Sequence, residues 1–181
     1  MNGIHFDRPG VFSTEECARI VALAEEAGLA PATIYGASGT QVDTNVRDVA
    51  TSYHPRSDAT AWLHDRLDSL FAEAADALGV AVAPMAEPLQ ILRYDEGGHF
   101  RTWHSDAGVD AYDRRLLSVS VELSPRDAHD GGALEIAPSA LGRRLLEQGG
   151  ARFFFSRAIH RVTPVTRGTR WALVNWTAGA A

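Results

Sequence analysis

Three residues in this chain have the types and spacing to hold a metal ion: His104, Asp106 and His160. In an extended segment, residues two apart point to the same side. His104 and Asp106, separated only by Ser105, therefore offer an imidazole nitrogen and a carboxylate oxygen to one ion. His160 follows 54 residues after Asp106 and supplies a second nitrogen. Two imidazoles and one carboxylate form a facial set that leaves positions open for exogenous ligands, an arrangement suited to non-haem Fe(II). The chain holds seven histidines, so a His-x-Asp triplet arises readily by chance, and the weight falls on what surrounds His160.

From His160 the sequence runs through Arg161-Val162-Thr163-Pro164-Val165-Thr166-Arg167-Gly168-Thr169 to Arg170. It reads as a strand, a tight turn and a second strand that returns Arg170 beside the ligand strand. Alternation along Arg170–Trp176 puts Arg170, Ala172, Val174 and Trp176 on one face. A guanidinium on an otherwise apolar inward face needs an anionic partner. All 17 basic residues of the chain are arginine, so no lysine stands in for it.

The elements that position these groups divide near Pro88. Upstream, Ser13-Thr14-Glu15-Glu16 reads as a capping box opening a helix, with Cys17, Ile20, Val21, Ala24 and Ala27 on its apolar side and Gly28 as its stop. A second helix is expected from about Asp58 to Leu78, with Trp62, Leu63, Leu67, Leu70, Phe71, Ala74 and Leu78 on one stripe. Between them, Gln41 to His54 reads as an extended hairpin or loop. Downstream, short strands are expected at Leu89–Tyr94, Leu116–Ser124, Ala133–Ile136, Ala151–Ser156, His160–Val165 and Arg170–Trp176, with a helical turn around Ser139–Gln148. Two helices followed by a run of strands imply an α+β domain whose second half is a sandwich or barrel.

Composition narrows the function classes. With 181 residues, 45% of them apolar, the chain suits one domain with a sizeable core and excludes a disordered tail. A net charge of -6 and a pI near 5.6 make it a poor ligand for phosphate backbones, so no nucleic-acid partner is expected. No run of apolar residues is long enough for a membrane span, and the first residues are not a basic region leading into an apolar one. The single cysteine, Cys17, forms no internal disulfide. A cytoplasmic protein without membrane association is the expectation.

Five stretches together resemble the Fe(II)- and 2-oxoglutarate-dependent dioxygenases, specifically their prolyl-4-hydroxylase-like group. They are Tyr94-Asp95-Glu96-Gly97, His104-Ser105-Asp106, Arg115-Leu116-Leu117-Ser118, Gly131-Gly132-Ala133-Leu134-Glu135-Ile136, and His160 through Arg170. The resemblance implies a double-stranded β-helix (jelly-roll) core with N-terminal scaffold helices. The whole chain, 1–181, would form one domain, helical over about 1–85 and jelly-roll over about 86–178. It implies Fe(II) on His104, Asp106 and His160, and Arg170 paired with the far carboxylate of 2-oxoglutarate. Tyr94 is expected to hydrogen-bond the cosubstrate, with Thr163 or Ser118 adding a hydroxyl. Trp103, Arg47 and Tyr53 are expected at the mouth of the site, where substrate is chosen.

The activity implied is hydroxylation of an unactivated C–H bond of an amino-acid-like substrate, free, peptidyl or carrier-bound. O2 and 2-oxoglutarate are consumed, succinate and CO2 are released, and ascorbate acts as a stimulant. Asp106 keeps the carboxylate that related halogenases replace with a small residue, so hydroxylation is favoured over halogenation. Two departures from the family pattern are an interval from Tyr94 to His104 one residue longer than in many members, and Ala133-Leu134 in place of an acidic-Thr pair. The alternative from another class is a non-catalytic jelly-roll binding or sensor protein with a vestigial metal site. A structural zinc would usually close with four protein ligands, and no fourth is evident.

Overall fold

Two antiparallel sheets face one another across the metal-ligand residues, and two helices cover the back of the larger sheet. The computed structural model of the protein describes residues 5–36, 39–108, 113–138 and 145–180. In chain order its elements are β1 (His5–Arg8), α1 (Thr14–Ala27), β2 (Ala30–Pro31), β3 (Ile34–Gly36), β4 (Gly39–Gln41), β5 (Arg47–Asp48), β6 (Ala50–His54) and α2 (Ala61–Leu78). They continue with β7 (Leu89–Tyr94), β8 (His99–His104), β9 (Arg115–Glu122), β10 (His129–Gly131), β11 (Leu134–Ile136), β12 (Ala151–Phe155), β13 (His160–Val162), β14 (Val165–Gly168) and β15 (Arg170–Ala178). The larger sheet has the order β1-β12-β9-β15-β7-β6-β2 and the smaller β11-β13-β8-β5.

The pleat of the larger sheet sorts its side chains. Leu89 and Ile91 of β7, Leu117, Val119 and Val121 of β9, Phe153 of β12 and Leu173 of β15 are buried with the helices in one core. The residues between them face the other way, as the Cα pairings Arg170↔Tyr94, Ala172↔Leu92, Val174↔Ser120 and Trp176↔Ser118 require. One alternating pattern thus builds a core on one face and a site on the other.

The helices form for the reasons their sequences give. The Ser13 side chain accepts from the Glu16 N–H at 3.2 Å, and Glu16 Oε2 accepts from the Ser13 N–H at 2.9 Å, completing the capping box. Helix α1 buries Cys17, Ile20 and Ala24. Helix α2 begins at Ala61, later than the expected Asp58. The Thr60 hydroxyl accepts from the Ser57 N–H and donates to the Pro55 carbonyl, fixing a turn that delays the helix. Phe71 of α2 meets Phe153 of β12 edge-on, with ring centroids 5.2 Å apart. No described helix is long and apolar enough to cross a membrane.

Three expectations are corrected. The part expected as helical, about 1–85, also contributes strands: β6 falls within the extended stretch expected over Gln41–His54, but β1 and β2, which join it in the larger sheet, were not expected. His99–His104, not among the expected strands although the residues around His104 read as extended, is a strand of the smaller sheet. And Arg170 does not return beside the ligand strand, because β13 lies in the smaller sheet and β15 in the larger. Pro164 has no N–H to continue the ladder, and the Thr163 N–H is spent on the Ala133 carbonyl at 3.0 Å. The chain therefore leaves the smaller sheet, pairs β14 with β10, and crosses to the facing sheet. The helical turn expected over Ser139–Gln148 falls mainly on 139–144, outside the described residues; residues 145–148 are not helical.

Candidate metal centre

His104 is the last residue of β8 and His160 the first of β13, and the two are Cα partners in the antiparallel ladder. Asp106 follows two residues after His104, its backbone N–H held by the Ser156 carbonyl at 2.8 Å. One ligand atom from each of the three residues lies within 4.8 Å of the others. The His160 Nε2 to Asp106 Oδ1 distance is 3.6 Å, and the imidazole centroids are 4.3 Å apart. Among the described residues no fourth His, Cys, Asp or Glu joins the group, which leaves a metal bound there open to exogenous ligands.

Both imidazoles are oriented by the backbone. His104 Nδ1 is 2.8 Å from the Thr102 carbonyl and His160 Nδ1 is 2.9 Å from the Ala158 carbonyl. A carbonyl only accepts, so each Nδ1 carries the proton and each Nε2 keeps its lone pair for a metal. Phe100 stacks on His104 at 3.6 Å, and Phe154 meets His160 edge-on at 4.8 Å. Burial, reinforced by the neighbouring His160 charge, lowers the His104 pKa to about 4, so its imidazole is neutral at physiological pH. Burial opposes ionisation of Asp106, but the His160 charge and the hydrogen bond from Ser118 hold its carboxyl below the ordinary range. A neutral His104 imidazole beside an ionised Asp106 carboxylate suits a divalent cation such as Fe(II).

A cavity of about 450 Å³ opens between the sheets, lined by the three metal-ligand residues and by Arg170 and Tyr94. Arg170 is buried, and its Nε donates to Glu122 Oε2 at 2.8 Å. Among the described residues its two η nitrogens bond to no acceptor. The Tyr94 ring lies 5.4 Å from the guanidinium carbon. Behind the pair, Glu122 Oε1 accepts from the Ser124 N–H at 3.2 Å and stands 3.7 Å from His129 Nε2. A Cβ on Gly132 would come within 2.8 Å of Arg170 Cδ, and one on Gly131 within 2.2 Å of the Pro164 carbonyl oxygen. The double glycine is the space into which the arginine shaft and the β13–β14 crossing fit.

Of the remaining expected residues, Arg47 and Tyr53 line the cavity. Three are not among its lining residues, and each makes a contact elsewhere. The Ser118 hydroxyl donates to Asp106 Oδ2 at 2.8 Å and lies 2.9 Å from the Ser156 hydroxyl, so it orients a metal-ligand residue rather than a cosubstrate. The Thr163 hydroxyl accepts from the Ala133 N–H at 2.9 Å and ties β13 to the double-glycine loop. Trp103 alternates with the inward His104, is 44% exposed, and stacks under the Arg161 guanidinium at 4.6 Å. Glu122 and Gln90 were not singled out from the sequence. The alternation Ser118, Ser120, Glu122 on a strand otherwise apolar is the signal that marks Glu122. Cys17 is buried in the helical core, where burial pushes its thiol to about 11, and takes no part in the site.

Residues 89–178 match the family model described as the 2OG-Fe(II) oxygenase superfamily. Among curated proteins, a PKHD-type hydroxylase of Cupriavidus pinatubonensis is 33% identical over 106 residues, covering 55% of this chain and 46% of its own. A PKHD-type hydroxylase of Idiomarina loihiensis is 38% identical over 88 residues, covering 48% and 39%. The chain thus spans less than half the length of these relatives. Among solved structures, a Pseudomonas putida prolyl-4-hydroxylase superposes with a TM-score of 0.73 at 20% identity over 98% of this chain and 94% of its own. A prolyl hydroxylase of Trichoplax adhaerens, solved with a hypoxia inducible factor peptide, gives 0.74 at 18% identity over 99% and 84%. The fold shared with them is the jelly roll.

Proposed function

The chain belongs to the 2OG-Fe(II) oxygenase superfamily, and from that premise we propose that it hydroxylates an unactivated C–H bond of an amino-acid-like substrate, free, peptidyl or carrier-bound. The observation that carries this reading is the pairing of His104, Asp106 and His160 on one wall of the cavity with the unoccupied donors of Arg170 on the other. Fe(II) held by His104, Asp106 and His160 would supply, with O2 and 2-oxoglutarate as cosubstrates, the oxidising chemistry, with succinate and CO2 as the co-products.

The rest is the protein's part. His104 and His160 present Nε2 because the Thr102 and Ala158 carbonyls hold Nδ1. Ser118 fixes Asp106 Oδ2, which leaves Oδ1, the oxygen nearer His160, to the metal. Arg170 offers its two η nitrogens as a fork to the far carboxylate of the cosubstrate, with the Tyr94 ring packed against it. Leu92, Leu134, Phe154, Val162 and Val174 line the space between and keep water from the reacting centre. The prolyl hydroxylases among the structural neighbours support an amino-acid or peptide substrate, and the family match over residues 89–178 together with the convergence of all three ligand residues supports an oxygenase rather than a sensor with a vestigial site.

The test is succinate formation from 2-oxoglutarate with Fe(II) and air, alongside anaerobic 2-oxoglutarate titration. His104→Ala should abolish both turnover and metal-dependent cosubstrate binding. Arg170→Lys should retain metal binding but weaken 2-oxoglutarate by about tenfold or more, since the charge stays and the fork is lost. Undiminished turnover in His104→Ala would reject the assignment.

A further inference from the structure

The cavity carries a charge that the described protein leaves unbalanced. Three arginines line it: Arg47, Arg115 and Arg170. Arg115 Nε donates to Glu87 at 2.6 Å, and Arg170 Nε to Glu122 at 2.8 Å. Arg47 meets no carboxylate among the described residues. Its η1 nitrogen donates to the Thr33 carbonyl at 3.0 Å, its guanidinium lies 5.1 Å from the Phe100 centroid, and its Nε is buried without an acceptor. Phe100 is also the ring stacked on His104, so Arg47 stands one aromatic ring away from a metal-ligand residue. The sole carboxylate among the described lining residues is Asp106, which the metal would occupy.

A second unsatisfied group faces the same space from the larger sheet. Gln90 is the Cα partner of Tyr53 on β6 and of Val174 on β15, both of which line the cavity, and its Oε1 is buried with no donor. A buried polar atom left unpaired is destabilising until a ligand satisfies it. A cation without a counter-ion and an acceptor without a donor, on opposite walls, complement a ligand that carries an anion beside an N–H.

We propose that Arg47 and Gln90 form the subsite for the head group of the substrate to be oxidised, Arg47 binding a free α-carboxylate and Gln90 Oε1 accepting from the adjacent N–H. The substrate is then a free α-amino acid or the C-terminal residue of a peptide, and not an internal residue of a chain. The size agrees: a cavity of about 450 Å³ that also admits 2-oxoglutarate leaves room for one residue. This inference rests on the oxygenase reading above.

Calorimetric titration under nitrogen, on the full chain loaded with Fe(II) and 2-oxoglutarate, tests it. The probes are the proteinogenic L-amino acids, their carboxamides, and acetylated tripeptides ending in each residue as acid or as amide. At least one residue type should bind as the acid about tenfold or more tighter than as the amide, the free and tripeptide series telling the two sources apart. Arg47→Gln should bring acid and amide to within about twofold, Arg47→Lys should restore part of the difference, and both should keep 2-oxoglutarate affinity within about threefold of the unaltered chain. A loaded protein for which no acid binds more tightly than its amide, or an Arg47→Gln variant that still discriminates, overturns the inference alone. A protein that takes up neither Fe(II) nor 2-oxoglutarate overturns the oxygenase reading, and this inference with it, before any probe is added.

Discussion

A buried guanidinium beside a buried carboxylate is neutral as a pair, so Arg170 is already balanced by Glu122 before any ligand arrives. Glu122→Gln keeps an acceptor for Nε but strips the counter-charge. Removing one member of a buried ion pair typically costs about 3–5 kcal/mol, and urea unfolding should register a loss of that order. The carboxylate of 2-oxoglutarate would then serve as the missing counter-ion, and saturating cosubstrate should stabilise Glu122→Gln more than the unaltered chain. Equal stabilisation of the two would mean that the ligand does not meet Arg170. The four residues to which the proposed function gives most of this chemistry, His104, Asp106, His160 and Arg170, are legible in the sequence because metal ligation and charge pairing depend on residue type and interval. Ser118 and Thr163 are not. A hydroxyl's role depends on which neighbour the fold brings within 3 Å, and here those neighbours are Asp106 and the Ala133 N–H.

At the scale of elements, legibility follows how locally each is specified. Helix α1 carries its own cap and apolar stripe within Ser13–Gly28, and β15 carries its alternation within Arg170–Trp176. Strand β8 carries neither. Three of its six residues, Arg101, Thr102 and Trp103, are exposed, and its partner β13 lies some 60 residues further along the chain. The stretch from His160 to Arg170 reads as a single hairpin for a related reason: turn residues announce a reversal but not the sheet into which the chain reverses. The double-glycine loop beneath that crossing gives the element-scale prediction. Gly132→Ala imposes a side chain at φ 67 and pushes a Cβ to 2.8 Å from Arg170 Cδ. The arginine shaft yields, so 2-oxoglutarate affinity should fall while metal affinity holds. Gly131→Ala meets the Pro164 backbone at 2.2 Å, which has no flexible end to move, and should cost mainly stability. Titrating Mn(II) and then 2-oxoglutarate into each variant separates the effects, and equal losses of metal and cosubstrate binding in Gly132→Ala would refute the separation.

Across the whole molecule, folding and chemistry are assigned to opposite faces of one sheet. The helices and the outward residues of β7, β9, β12 and β15 make the main core, and none of His104, Asp106 or His160 belongs to it. The metal would link the end of β8 to the start of β13, two strands already paired by backbone hydrogen bonds. It follows that the metal-free chain folds completely and the ion adds only its binding free energy. At a free ion concentration one hundred times Kd that addition is about 2.7 kcal/mol. Urea unfolding with chelator and with Mn(II) should therefore differ in midpoint but share one slope, because the same surface is exposed in both cases. His104→Ala should lose the metal-dependent shift and keep the slope. A chelated protein that unfolds with a markedly smaller slope would mean that the smaller sheet forms only around the ion, and the division of labour between the two faces would have to be abandoned.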